Sequence, residues 1–398
     1  MRQRQYTLTR QDVHAITMRH LRHHLGVRDF SPRCSATMLL SALVAAAAGL
    51  TSLVAVARRL LGLPSGETLR KALLANLPGR AALERRLNRA LSAALPRGLA
   101  GRPQPLAIDL TVRPYHGQPL RDPAEVYRGQ AKSGTSHFHA YATAYVVRHG
   151  RRSTVALTAV YRGEALDQVV RRLLRLAGRA GVRPRYVLLD RGFCSVAVIR
   201  YLQAARRPFL MPLPLRGRKA DHPAGPSGSR VFAYARRSGW AEYTLTSGPR
   251  TATVRVAVKC RNLAGQWGRR GRQRLVYAFW GLTPPSVDWV RQAYRTRFGI
   301  ETSYRQMNQA KVHTCTRNPD ARLLFVGVAL LLRNAWVWLH HQVLATPRPG
   351  GRLIRLERLR FKLLLRWLAE VIESDYVPHD EAPAERPIPT ALAASFTD

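Results

Sequence analysis

The order of apolar patterns between residues 101 and 229 constrains the fold more than any other feature of this 398-residue chain. "PLAIDLTVRPY" is a short apolar run with β-branched residues, bounded by prolines, and reads as a strand. "HFHAYATAYVV" and "RSTVALTAVY", rich in Tyr, Val and Thr, read as two further strands of one meander. Leu166, Val169, Val170, Leu173, Leu174 and Ala177 then recur at helical spacing. "RYVLLDRGF" is a buried strand, "SVAVIRYLQAAR" a helix and "RPFLMPLPL" a last strand. Three strands, helix, strand, helix, strand implies an α/β fold: a mixed five-stranded sheet with helices on its faces, in which the first and fourth strands are neighbours.

The flanks read differently. Residues 1–100 are helical in pattern. Cys34 to Ala57 carries no charge but is Ala-rich, which suits a buried helix pair better than a membrane span. A break at Gly62-Leu63-Pro64 and an N-cap at Ser65 suggest a helix-turn-helix, with Arg70 and Lys71 near the start of the second helix as candidate DNA contacts. The plain alternative is a helical hairpin. Residues 230–283 read as a β-rich insertion, in which Val254, Val256, Val258 and Cys260 alternate with Arg255, Ala257 and Lys259. This insertion is expected to protrude as a separate antiparallel unit. Residues 284–375 return to the core and add C-terminal helices. Residues 376–398 form an acidic, Pro-containing tail, expected to be disordered.

Charge decides the partner class. Lys and Arg number 65 against 23 Asp and Glu, for a formal net charge of +42. Such a body repels itself unless a polyanion neutralises it, and nucleic acid fits better than a membrane surface. The four cysteines stand far apart with no C-x-x-C pair, which excludes a zinc ribbon and fits a reducing cytoplasm. "HLRHH" lacks a carboxylate or cysteine partner nearby and reads as a solvated helix face.

Three acids stand alone in this basic chain. Asp109 lies in a buried strand pattern, with no other acid between Glu84 and Asp122. Asp190 ends the apolar "YVLLD", with none between Asp167 and Asp221. Glu301 is the one acid in "WVRQAYRTRFGIETSYRQMNQAKVHTCTRN". A carboxylate ending a buried strand is costly without a partner. One account pairs each acid with an arginine. The other gathers all three around divalent cations, since Mg²⁺ takes oxygen ligands and two ions ~3.5–4 Å apart can activate a nucleophile and stabilise a leaving oxygen. On the second account the surrounding arginines bind DNA phosphates rather than the acids. At ~100° per residue, Tyr294, Arg297, Glu301 and Asn308 share one helix stripe, with Arg305 one turn beyond Glu301.

These residues resemble the DDE transposases of prokaryotic insertion sequences, in the subgroup with a Y-x2-R-x3-E-x6-K helix motif and a β-rich insertion. "AIDLT" is similar to the first-Asp motif, "LLDRGF" to the second, and "AYRTRFGIE" supplies Tyr294, Arg297 and Glu301 at the motif's spacing. The motif's Lys position is Asn308, so Lys311 or Arg305 would have to bring that charge. The resemblance implies a ribonuclease-H-like core and two Mg²⁺ (or Mn²⁺) ions held by Asp109, Asp190 and Glu301. It implies cleavage at terminal inverted repeats, then attack of the freed 3′-OH on target DNA, by a homodimer on DNA in a prokaryotic cytoplasm, associated with the nucleoid. It also implies that Tyr294 and Arg297 hold the DNA end. Trp267, in an Arg-rich hairpin tip, is a candidate for stacking on an unpaired base. Arg128 and Lys132, on a loop entering a strand, are candidates for the DNA channel. Two rival readings remain: a catalytically impaired DNA-binding descendant, and a basic structural nucleic-acid-binding protein.

Overall fold

The computed structural model describes residues 7–378 apart from 97, 100, 149–151, 263–271 and 350. Five helices come first: α1 (Arg10–Leu25), α2 (Ala36–Ala48), α3 (Leu53–Arg59), α4 (Gly66–Asn76) and α5 (Arg80–Ala93). Their starts are set by side-chain caps. Thr9 forms a reciprocal capping box with Asp12, and the hydroxyls of Ser35, Ser52 and Ser65 each accept from the backbone N–H three residues on. The uncharged segment is two helices, α2 and α3, bent by 105°. The strand order is β1 (Gln104–Pro114), β2 (Tyr127–Lys132), β3 (Thr135–Val146) and β4 (Ser153–Val160). Then come α6 (Leu166–Arg179), β5 (Pro184–Leu189), α7 (Val196–Ala204) and β6 (Phe209–Pro212).

The central five strands lie in the order β4-β3-β1-β5-β6. β1 pairs antiparallel with β3 and parallel with β5, and β5 pairs parallel with β6. This is the mixed, ribonuclease-H-like sheet expected. Two details depart from expectation. The stretch holding Arg128 and Lys132 is not a loop but the strand β2, paired with the start of β3 across the turn Ser133-Gly134. Both turn residues have positive φ, +52° and +75°, as a two-residue hairpin turn requires.

The second departure concerns the insertion. It is antiparallel, made of β7 (Gly239–Ser247), β8 (Arg250–Asn262) and β9 (Arg272–Trp280), but it does not stand apart. β9 pairs antiparallel with β6, from Phe209 opposite Trp280 to Pro212 opposite Tyr277, so the main sheet runs on through β9, β8 and β7. The physical reason is the open edge of β6, whose buried backbone groups need a partner strand. Val276 and Ala278 of β9 enter the same core as Val187 and Leu189 of β5.

Helices cover both faces. α6 and α7 pack on one, through Val169, Val170, Leu173, Ile199 and Leu202. On the other lie α8 (Val287–Arg295), α9 (Phe298–Met307) and α10 (Pro319–Leu339). After the short ribbon β10 (Thr346–Arg348) and β11 (Gly351–Leu353), α11 (Phe361–Tyr376) closes on α1 and α2. The N-terminal helices are therefore no separate body: α1, α2, α5, α10 and α11 share one apolar core with Leu157 and Ala159 of β4. α10 is apolar enough to cross a membrane by composition, but 94% of its most apolar window is buried inside the molecule. The expected tail lies, from residue 379 on, outside the described residues.

Candidate active site

Side-chain alternation along β1 decides what faces α9. Leu106 and Ile108 enter the core under α6 and α7, whereas Ala107 enters the core shared with α8 and α9. Asp109, Thr111 and Arg113 follow Ala107 on that second face. Ile108 pairs with Leu189, the last residue of β5, so Asp190 emerges beside Asp109. α9 crosses above and supplies Glu301.

All three acids turn to one guanidinium. Arg297 Nη1 lies 3.3 Å from Asp109 Oδ2, and its Nη2 lies 2.7 Å from Glu301 Oε1 and 3.8 Å from Asp190 Oδ1. The side chain of Arg297 is 6% exposed, that of Asp109 15%, Glu301 38% and Asp190 48%. The cluster thus has a buried floor and an open rim. Burial, reinforced by the neighbouring Asp190 and Glu301 carboxylates and opposed by Arg297, pushes the Asp109 carboxyl up to about 6. Tyr304, one helical turn after Glu301, donates its hydroxyl to the Asp109 carbonyl at 3.0 Å and lies 2.7 Å from Thr143 Oγ1. It ties α9 to β1 and β3 directly beneath the acids.

The arrangement corrects two expectations. Arg297 is expected to hold DNA rather than the acids, but it is buried among them, with its guanidinium 5.5 Å from the centre of the Tyr294 ring and 5.3 Å from that of Phe298. Tyr294 is itself buried against Tyr277. In this arrangement the three carboxylates engage the guanidinium, although Arg297 also lines a cleft beside Asp190. Nor do the motif residues share one unbroken helix. α8 ends at Arg295 and α9 begins at Phe298, with i→i−3 bonds from Thr296, Arg297, Gly299 and Ile300 tightening the junction. Asn308 lies just past the end of α9 and accepts from Arg113 Nη1 at 2.5 Å.

Oxygen donors of this kind suit a hard divalent cation. Three carboxylates facing one guanidinium also leave the cluster net anionic. Among the described residues, however, no set of three such side chains stands at ready-made ligand spacing, because Arg297 lies between them. The donor chemistry fits an ion; the acids would close on it from their present contacts with Arg297.

The other candidates are dispersed. Arg305 and Lys311 are exposed beyond Glu301. Arg128 and Lys132 are exposed on β2, and Arg128 Nη1 lies 3.3 Å from His137 Nδ1. Arg70 and Lys71 lie on exposed α4 and pair with Glu67. Trp267 falls outside the described residues. Sequence reasoning missed a cleft of about 710 Å³ that opens beside Asp190, rimmed by Arg191, Arg261, Arg274, Arg291 and Arg295. It also missed Arg113 and Tyr304. Their signal was available as spacing: Arg113 is an even number of strand residues from Asp109, and Tyr304 is three helical residues from Glu301.

Residues 100–335 match the family model described as the transposase DDE domain. Among solved structures, the fold is similar to that of a piggyBac transposase, determined by cryo-electron microscopy as a synaptic complex with hairpin DNA. The TM-score is 0.52 at 12% identity, over 92% of this chain and 78% of that one, a likeness of fold alone. No curated protein sequence matches significantly.

Proposed function

This chain belongs to the transposase DDE-domain family, and from that premise we propose that it cuts DNA strands at the ends of a mobile element and joins the freed 3′-OH to target DNA. The observation that carries the reading is the meeting of Asp109, Asp190 and Glu301 from three separate elements around Arg297, at the end of the central strands. Transposases of this family use divalent metal ions. Here Asp109, Asp190 and Glu301 would hold Mg²⁺ or Mn²⁺, in the two-ion arrangement; when bound, the metal supplies Lewis acidity at the reacting phosphorus.

The protein's own groups do the rest. The cationic rims draw in the backbone and fix its register. Arg297 holds the three carboxylates together, and Tyr304 holds α9 on β1. In the first step water attacks the phosphorus and the bond to the 3′ oxygen breaks; in the second the 3′-OH attacks a target phosphorus in the same way. No covalent bond to the protein is needed, so Cys194 and Ser195 have no nucleophilic part. Terminal inverted repeats as substrate, dimerisation on DNA, a prokaryotic source and a nucleoid location belong to the same proposal. The motif subgroup rests on the spacing of Tyr294, Arg297 and Glu301 alone, because the continuous sheet counts against a detached insertion. Asn308, in place of the motif's Lys, favours one alternative, a DNA-binding descendant with impaired cutting.

The deciding experiment compares wild type with Asp109→Asn, Asp190→Asn and Glu301→Gln in binding and in Mg²⁺-dependent nicking of element-end DNA at one salt concentration. Binding should survive in all three variants while nicking is lost. Wild-type nicking by Glu301→Gln would overturn the catalytic assignment, and a wild type that binds without ever nicking favours the impaired descendant.

A further inference from the structure

On the far side of Asp109 from the large cleft lies a second one, of about 290 Å³, lined by Arg113, Tyr141, Lys311, His313, Thr314 and Arg322 among others, with no carboxylate in its wall. Among the described residues none of its three cations has an acidic partner. Arg113 Nη1 donates to Asn308 Oδ1 at 2.5 Å. Arg322 Nε donates to the Thr316 carbonyl at 2.7 Å, and its guanidinium lies 4.7 Å from the centre of the Tyr115 ring. Lys311 is exposed at the mouth. Burial lowers the proton affinity of Lys311, and the positive charges of Arg113 and Arg322 lower it further. Arg113 and Arg322 are pushed down as well, by burial first. Three cations converging in a partly desolvated cleft repel one another, and an oxyanion with several acceptor oxygens would relieve this.

The position of the cleft points to the source of that oxyanion. Arg113 and Asp109 lie on the same face of β1, four residues or ~13 Å apart. An anion held by Arg113 therefore lies close enough to belong to the strand being cut or to its complement. We propose that Arg113, Lys311 and Arg322 bind a phosphodiester of the DNA backbone beside the three acids, and that Asn308 serves this site by holding Arg113. The proposal rests on the DNA-cutting reading for its partner. It reassigns Asn308: the charge that the family motif places there is supplied from β1 by Arg113, and Asn308 is a positioning residue.

The test is the salt dependence of binding to a short fluorescent duplex of arbitrary sequence, which needs neither an element end nor cleavage. Removing one cation that neutralises a phosphate should reduce the slope of log affinity against log salt by about one. Arg113→Gln and Lys311→Gln should each do so and the pair by about two, with Arg113→Lys recovering most of the effect. Lys362→Gln, exposed on α11 and not part of the cleft's lining, should leave the slope unchanged. Asn308→Lys should not tighten binding, because its ammonium would sit against the Arg113 guanidinium. Unchanged slopes for Arg113→Gln and Lys311→Gln, or tighter binding by Asn308→Lys, overturn the proposal. Lys311 is exposed, so its variant decides the matter even if Arg113→Gln folds poorly. A thermal shift of wild type by inorganic phosphate at constant ionic strength, abolished in Arg113→Gln while duplex slopes stay the same, would make this a small-anion site and also overturn it. If the slopes fall in this way but wild type never nicks DNA, the cutting reading fails and the phosphate site stands.

Discussion

Asp109 is held protonated to higher pH than an ordinary carboxyl, and this has a measurable sign. Its folded value of about 6 stands above the ordinary 3.8, so the native state binds a proton more tightly than the unfolded chain between about pH 4 and 6. In metal-free protein this group therefore favours folding at acid pH, and that contribution, of order 2–3 kcal/mol, is lost as pH rises through 6. His20 and His139 act in the opposite sense: burial pushes both down to about 4, so each costs stability as pH falls below about 6.5. Comparing wild type with Asp109→Asn in chelator cancels the histidines. The variant should gain on wild type in melting temperature between pH 4 and 7; a difference independent of pH would show that Asp109 is not buried among like charges. The acids themselves were legible in the sequence, since an isolated carboxylate ending an apolar strand advertises itself. The partners of Arg297 and Arg113 were not. Spacing places both arginines near the acids, but only packing decides which guanidinium the acids engage and which is left without an acidic partner among the described residues.

Elements were legible where periodicity is strong and hidden where pairing decides. The strands β1, β3, β4, β5 and β6 and the helices between them follow from alternation and apolar spacing. The polar run of β2 carries no alternation, and no pattern within β9 reveals that its partner is β6. The outer edge of β4 was equally unreadable. That buried edge is paired with side chains in place of a strand. Asn334 accepts from Thr154 N at 3.1 Å and donates to Thr154 O at 2.7 Å, while Asn88 meets the N–H and C=O of Leu157, both at 2.8 Å. Glu84 accepts from Ala159 N at 2.8 Å. These bonds cap an edge that would otherwise bury unpaired backbone. They also bolt α5 and α10 to the sheet that carries Asp109. Replacing Asn334 by Leu keeps the volume but orphans two buried backbone groups at ~1–3 kcal/mol each. The urea midpoint of Asn334→Leu should drop by the equivalent of about 2–6 kcal/mol, with the same for Asn88→Leu. A loss below about 1 kcal/mol would mean that water reaches this edge.

At the scale of the whole molecule, a net charge of +42 opposes compaction, and one surface serves both solubility and binding. Two opposite salt effects follow. Without a ligand, raising salt screens the self-repulsion, so the melting temperature should rise over the range in which the Debye length falls from about 30 Å to about 8 Å. With duplex DNA present, the fold is stabilised by linkage, about 2.7 kcal/mol when free DNA is a hundredfold above its dissociation constant. That gain must shrink as salt weakens binding. The curves of melting temperature against salt, with and without an arbitrary duplex, should therefore start well apart and converge. Mixed surfaces would not behave this way, because their opposite charges lose as much by screening as they gain. Here the described acids are far too few to neutralise the cations: ion pairs form at Glu67, Glu164, Asp288, Asp320, Glu370 and Glu373 as well as around Arg297, and most described arginines have no acidic partner. A ligand-free melting temperature indifferent to salt would mean that these cations are neutralised within the protein. Parallel curves would mean that DNA stabilises the fold through contacts other than its phosphates.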